Sequence, residues 1–94
     1  MSDIQFHAMG PTRARSGEDP LIPFLLNARG KKVTVSARQV GRLDSHRLQV
    51  LLVARRQWAS EGVPFAVTDT SPAFGASLER MGLPSEFFEN EVKA

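Results

Sequence analysis

Five charged or titratable residues crowd around one hydroxyl between positions 38 and 47: Arg38, Arg42, Asp44, Ser45, His46 and Arg47. Asp44 and Ser45 are residue types that cap a helix, and apolar residues at helical spacing follow from Leu48. A helix opening there turns free N–H groups and the positive end of its dipole outward, an arrangement that suits an anion. Arg42, His46 and Arg47 add positive charge to that end, and Arg38 lies on the loop leading to it. The chemistry to expect is recognition of an acidic or phosphorylated segment of a partner. Capping alone also accounts for Asp44 and Ser45.

Reaction chemistry has little to work with. No nucleophile–base pair, carboxylate pair or metal-ligand cluster is evident. His7 and His46 are distant in sequence, with no carboxylate at ligand spacing. The absence of cysteine removes a disulfide framework, a thiolate metal site and a cysteine nucleophile. The expectation is a non-enzymatic chain with no catalytic residue, cofactor or metal.

The entrance at Asp44 needs a scaffold, and the flanking sequence supplies one. A short apolar-alternating piece, Ile4-Gln5-Phe6, predicts an edge strand, followed by a loop to residue 18. Asp19-Pro20 predicts a helix start, with Leu21, Ile22, Phe24, Leu25 and Leu26 inside and Gly30 as the stop. Pro23 removes a donor near the first turn, so regular helix could begin only there. Residues 32–36 predict a β-branched strand, and residues 37–43 a loop. The helix from Asp44 or Ser45 runs to about residue 61, with Gly62 ending it. Steps of 100° place Leu48, Leu51, Leu52, Ala54, Trp58 and Ala59 on one arc and His46, Gln49, Arg56, Gln57 and Ser60 on the other. Arg55 falls inside the apolar arc, where its stem packs and its head reaches outward.

Residues 64–68 predict a second core strand. Ser71-Pro72 opens a last helix carrying Phe74, Leu78 and Met81, closed by Gly82. Phe87-Phe88, in an acidic tail over residues 85–94, is expected to pack back onto the domain. Strand, helix, strand, helix, strand, helix argues for an α/β fold with helices against a sheet. At 94 residues the chain makes one domain.

Charge is uneven along the chain. Residues 1–60 hold ten Lys/Arg against four Asp/Glu, a balance of +6, and residues 61–94 hold two against six, a balance of −4. Such asymmetry can steer a partner or simply belong to a solvated surface. The basic residues form no dense run and have no aromatic residues between them, which argues against nucleic acid. No stretch approaches a membrane-spanning length, and Met1 to Gly10 lacks a signal-peptide core, so a cytoplasmic location is expected.

Residues 33–83 resemble a STAS domain, the fold of bacterial anti-sigma-factor antagonists. Three pieces carry the likeness. Val33-Thr34-Val35 leads to Leu43-Asp44-Ser45. Leu48-Gln49-Val50-Leu51-Leu52-Val53-Ala54-Arg55 leads to Gly62. Phe65-Ala66-Val67 precedes Ser71-Pro72-Ala73-Phe74 and Met81-Gly82-Leu83. The resemblance implies a small mixed or parallel sheet with helices mainly on one side. It implies a module in bacterial signal transduction whose protein partner is an anti-sigma-factor-type kinase, a chemotaxis component or a transporter subunit acting in trans. It further implies a binding site at the Asp-Ser turn: Asp44, Ser45, His46, Arg47, Arg42 and Arg38. In the family pattern Asp-Ser-Ser-Gly a partner kinase phosphorylates the second serine. Here His46 stands at that position and Arg47 at the glycine, leaving Ser45 as the candidate for phosphorylation. Some STAS domains bind nucleotides, which keeps a nucleotide or small-anion module as an alternative, although no Gly-rich phosphate loop is present.

Overall fold

The computed structural model describes residues 4–11 and 19–88. Most of the loop expected before residue 19, and the end of the acidic tail, lie outside the described residues. The elements run β1 (Gln5–Ala8), α1 (Leu21–Asn27), β2 (Val33–Ser36), α2 (Ser45–Ser60), β3 (Phe65–Thr68) and α3 (Pro72–Arg80).

The three strands form one parallel sheet in the order β1-β2-β3. Parallel neighbours need crossover connections, here α1 and α2, and two crossovers of the same hand advancing in one direction put both helices on one face. Register aligns Gln5, Val33 and Phe65 across the sheet, and two residues on, His7, Val35 and Val67. These rows face the helices: Val33, Val35 and Val67 are buried, and the His7 ring stacks on Phe24 of α1 at 4.9 Å. The alternate row, Phe6, Thr34 and Ala66, faces away, and Phe6 is 62% exposed. Leu51, Phe74 and Leu78 complete the core from α2 and α3.

Pro23 does not delay α1. It occupies the first turn, where its missing N–H would have had no helical partner. The helix begins one residue later than expected, with Pro20 at the N-cap and Leu21 first, and Asp19 just before it accepts from the Leu21 N–H through Oδ1 at 3.0 Å. Arg55 is half-buried as expected of its stem, but its head does not simply reach outward: the guanidinium carbon lies 4.6 Å from the Phe87 ring centroid. Phe87 and Phe88 do fold back: Phe88 is buried and meets Phe74 edge-on at 5.9 Å. Ala59 departs from the expected arc and is exposed. It sits in the last turn of α2.

The β1–α1 contact carries a pH dependence. Burial pushes the His7 imidazole below its ordinary value, and the Asp19 carboxylate opposes this more weakly. The unfolded chain therefore takes up the proton more readily than the folded one. Stability present above the unfolded value of about 6.5 is lost as pH falls through it toward the folded value. The thermal midpoint of wild type should fall more steeply than that of His7→Gln between about pH 7.5 and about pH 5.5. Equal slopes would contradict this reading.

Candidate functional site

The loops that follow β2 and β3, and the N-termini of α2 and α3 to which they lead, lie at one edge of the sheet, the C-terminal ends of its strands, because parallel strands share a direction. The entrance of α2 stands in the middle of that edge, following the central strand. Asp44 is the N-cap, with extended backbone (φ −88°, ψ 172°) and Oδ1 accepting from the Arg47 N–H at 2.8 Å. A cap of this kind is worth about 1 kcal/mol. It assigns Asp44 to the cap and leaves Ser45 as the first helical residue. Ser45 and His46 are exposed, as are Arg42 and Arg38 on the loop before the helix.

Arg47 behaves differently from its neighbours. It was expected to add charge to the exposed tip, but it is 1% exposed. At its place in the first turn the side chain points inward and crosses to the chain leaving β1. Nη1 donates to the Gly10 carbonyl at 2.9 Å, and Nη2 to the carbonyls of Pro11 and Arg42. Its charge is spent on backbone oxygens, so Arg47 is part of the scaffold and is not presented to a partner. The sequence signal was available: an arginine where the pattern has glycine must find space and acceptors for a whole guanidinium.

The loop over residues 37–43 is pinned from two sides. On one side the Pro11 carbonyl accepts from the Gly41 and Arg42 N–H groups at 2.9 and 3.0 Å as well as from Arg47. On the other, the Ser71 hydroxyl donates to the Val40 carbonyl at 2.6 Å and accepts from the Phe74 N–H at 3.0 Å, while the buried Ser77 hydroxyl accepts from the Leu43 N–H at 3.2 Å. Ser71 thus caps α3 and clamps the approach to α2 at once. Beside it Asp69 holds a left-handed φ of +54°, a conformation that aspartate adopts more readily than most residues. Sequence reading identified Ser71 as a cap but gave no sign of the tie to Val40, which depends on tertiary placement.

The edge therefore presents an exposed hydroxyl, an exposed imidazole and two exposed guanidinium groups on a backbone braced from both flanks. Such a surface can bind anionic groups with little ordering cost. Among the described residues no group of three or more His, Cys, Asp or Glu side chains could hold a metal ion. Among them, too, no helix is long and apolar enough to cross a membrane.

No curated protein and no solved structure matches the chain. The family model described as Mlab, STAS domain, matches residues 18–86, which contain every element from α1 to α3 and leave β1 outside. Together with the parallel three-stranded sheet and its helices, that match makes this chain a member of the STAS domain family.

Proposed function

We propose that the chain is a non-enzymatic interaction module, like an anti-sigma-factor antagonist, that docks a regulatory protein through the entrance of α2. The observation carrying this reading is the exposure of Ser45 and His46 at a helix N-terminus that Arg47 and Ser71 hold in place from below. Rigid backbone under exposed polar side chains lowers the ordering cost of association and fixes specificity. The partner is a signalling kinase or a protein of similar regulatory role, and it offers acidic or phosphorylated groups to Arg38, Arg42 and the α2 N–H groups. Ser45 is the hydroxyl through which a kinase could switch the contact, because a phosphate there would reverse the charge that the partner meets.

The experiment combines partner capture with variants of the tip. Arg42→Glu and Ser45→Asp should each weaken binding of the captured partner at least about tenfold, while the thermal midpoint stays within about 2 °C of wild type. Unchanged binding by both would reject docking at this edge. Incubation with the captured kinase and ATP, read by intact mass, tests the switch. One added phosphate lost in Ser45→Ala supports it, and equal labelling of Ser45→Ala removes it. A transporter component as the captured partner would change the cellular role but keep the docking edge. Heat on titration with millimolar GTP or ATP would instead favour a nucleotide module.

A further inference from the structure

A second surface lies at the open side of β1. Among the described residues β1 pairs with β2 alone, which leaves its other side free. The Gln5 N–H donates to the Lys32 carbonyl at 2.8 Å and the Met9 N–H to the Ser36 carbonyl at 3.0 Å, so the odd-numbered residues turn their main-chain groups toward β2. Directions alternate along a strand, and the N–H and C=O groups of Ile4, Phe6 and Ala8 therefore point away from the sheet. The side chains of the same three residues lie on the face without helices. All three are exposed, Ile4 by 56% and Phe6 by 62%. Edge strands of proteins that stay monomeric are ordinarily blunted by lysine, another charge, proline or a bulge. The opposite edge, β3, follows Pro64 and ends at Asp69, where a left-handed φ of +54° turns the chain. β1 carries no such device. From Ile4 to Gly10 there is no Asp, Glu, Lys, Arg or Pro, and its register with β2 runs unbroken from Gln5 to Ala8.

The sequence that suits this edge is its own, because β1 is self-complementary about Phe6. An antiparallel copy centred there sets Phe6 opposite Phe6 and Ile4 opposite Ala8 on the open face, and Gln5 opposite His7 on the helix face. Apolar side chains meet apolar ones, and the carboxamide meets an imidazole that can donate or accept. No like charges are opposed. All three outward-facing residues find main-chain partners, about six hydrogen bonds in all. Centring the pair on His7 instead would set Ile4 opposite Gly10, beyond the end of the strand. We infer that two copies of this chain join through β1, antiparallel about Phe6, into one continuous six-stranded sheet. The contact is isologous, so it closes at the dimer. One short strand from each copy buries less than the roughly 1,200 Å² of a stable complex, so the dimer is a reversible one. Its two α2 entrances face opposite ways and both stay open, which makes the contact independent of docking at the tip.

Sedimentation of the full chain between about 10 µM and about 1 mM tests this, and the mass should rise from monomer toward dimer. Phe6→Lys sets like charges opposite each other, and Ala8→Pro removes an outward N–H that the β2 ladder does not use. Each should weaken self-association at least about tenfold. Both positions are exposed, so the dilute variants should keep the wild-type far-UV spectrum. Register is read by cross-linking, since the chain has no cysteine of its own. Directly opposite Cα atoms lie about 5.5 Å apart, within reach of a disulfide, whereas Ile4 and its counterpart would lie over about 13 Å apart. With oxidised glutathione, Phe6→Cys should form a covalent dimer and Ile4→Cys should not, while Ile4→Cys mixed with Ala8→Cys should give the mixed dimer. A monomer at about 1 mM, wild-type association by both edge variants, cross-linking of Ile4→Cys as fast as Phe6→Cys, or oligomers beyond the dimer would overturn the assignment. So would slow amide exchange at Phe6 and Ala8 in a dilute sample, which would give the edge to another part of this chain. Arg42→Glu should dimerise like wild type, and loss of the dimer there would move the contact to the tip. A dimer that persists while the tip variants leave partner binding unchanged would sink the docking reading alone.

Discussion

Replacing Arg47 with methionine is expected to destabilise the protein by about 3 kcal/mol, more than any substitution of its exposed neighbours. Methionine keeps much of the buried stem but donates nothing. The carbonyls of Gly10, Pro11 and Arg42 lose a charged donor together, and the chain leaving β1 loses its tie to the first turn of α2. Hydrogen bonds from a charged group are each worth about 1.5–3 kcal/mol, and partial access of water to these carbonyls offsets some of the loss. Arg47→Lys should fall between wild type and Arg47→Met, because one ammonium group cannot reproduce the planar fork that reaches carbonyls on both segments. For a domain of this size the loss corresponds to a fall in thermal midpoint of roughly 12–20 °C. Urea denaturation measures it directly. A loss under about 1 kcal/mol would show that Arg47 does not brace the entrance.

Trp58→Ala should cost about 4 kcal/mol, the range for emptying a large aromatic site. The Trp58 ring is 2% exposed and lies against Phe65 at 5.8 Å. Its indole N–H donates to the Lys31 carbonyl at 2.6 Å. That bond joins the last turns of α2 to the segment entering β2, so the residue both fills the core and closes the crossover. Trp58→Phe separates the two contributions. It keeps most of the apolar volume and gives up the bond, and about 1.5 kcal/mol is expected. The ratio can be read from chemical denaturation of the two variants. Equal losses would mean that the hydrogen bond, and not packing, dominates. Trp58→Ala should leave Ser45 and His46, at the other end of α2, in place.

The periodic parts of the chain were legible without coordinates. The order of elements, a cap at Asp44 or Ser45, the Ser71 cap, the packing of the Arg55 stem and the return of Phe87-Phe88 follow from spacing and residue type. These depend on local chemistry, which a single sequence carries. What could not be read depends on which segments meet. Arg47 looks like one more cation at the helix entrance, and only the arrival of the chain after β1 gives it the Gly10 and Pro11 carbonyls to bind beside that of Arg42. Ser77 reads as a helix-surface serine until the loop at Leu43 is seen to cross it. Leu26 reads as one more apolar residue of a short greasy helix, and Val53 is assigned to neither arc of α2. The sheet is too narrow, and α1 too short, to bury every apolar position, so these two remain at the surface.

Docking through the α2 entrance is tested most directly by site-specific photo-cross-linking in the native cell. A benzophenone side chain is introduced singly at Arg42, His46, Phe6 and Glu79, all exposed and spread over the tip, the far face of the sheet and α3. Positions 42 and 46 should capture one and the same partner protein, and positions 6 and 79 should not. Capture of a partner from position 6 or 79, with none from 42 or 46, would place the interface elsewhere and refute docking at the helix entrance.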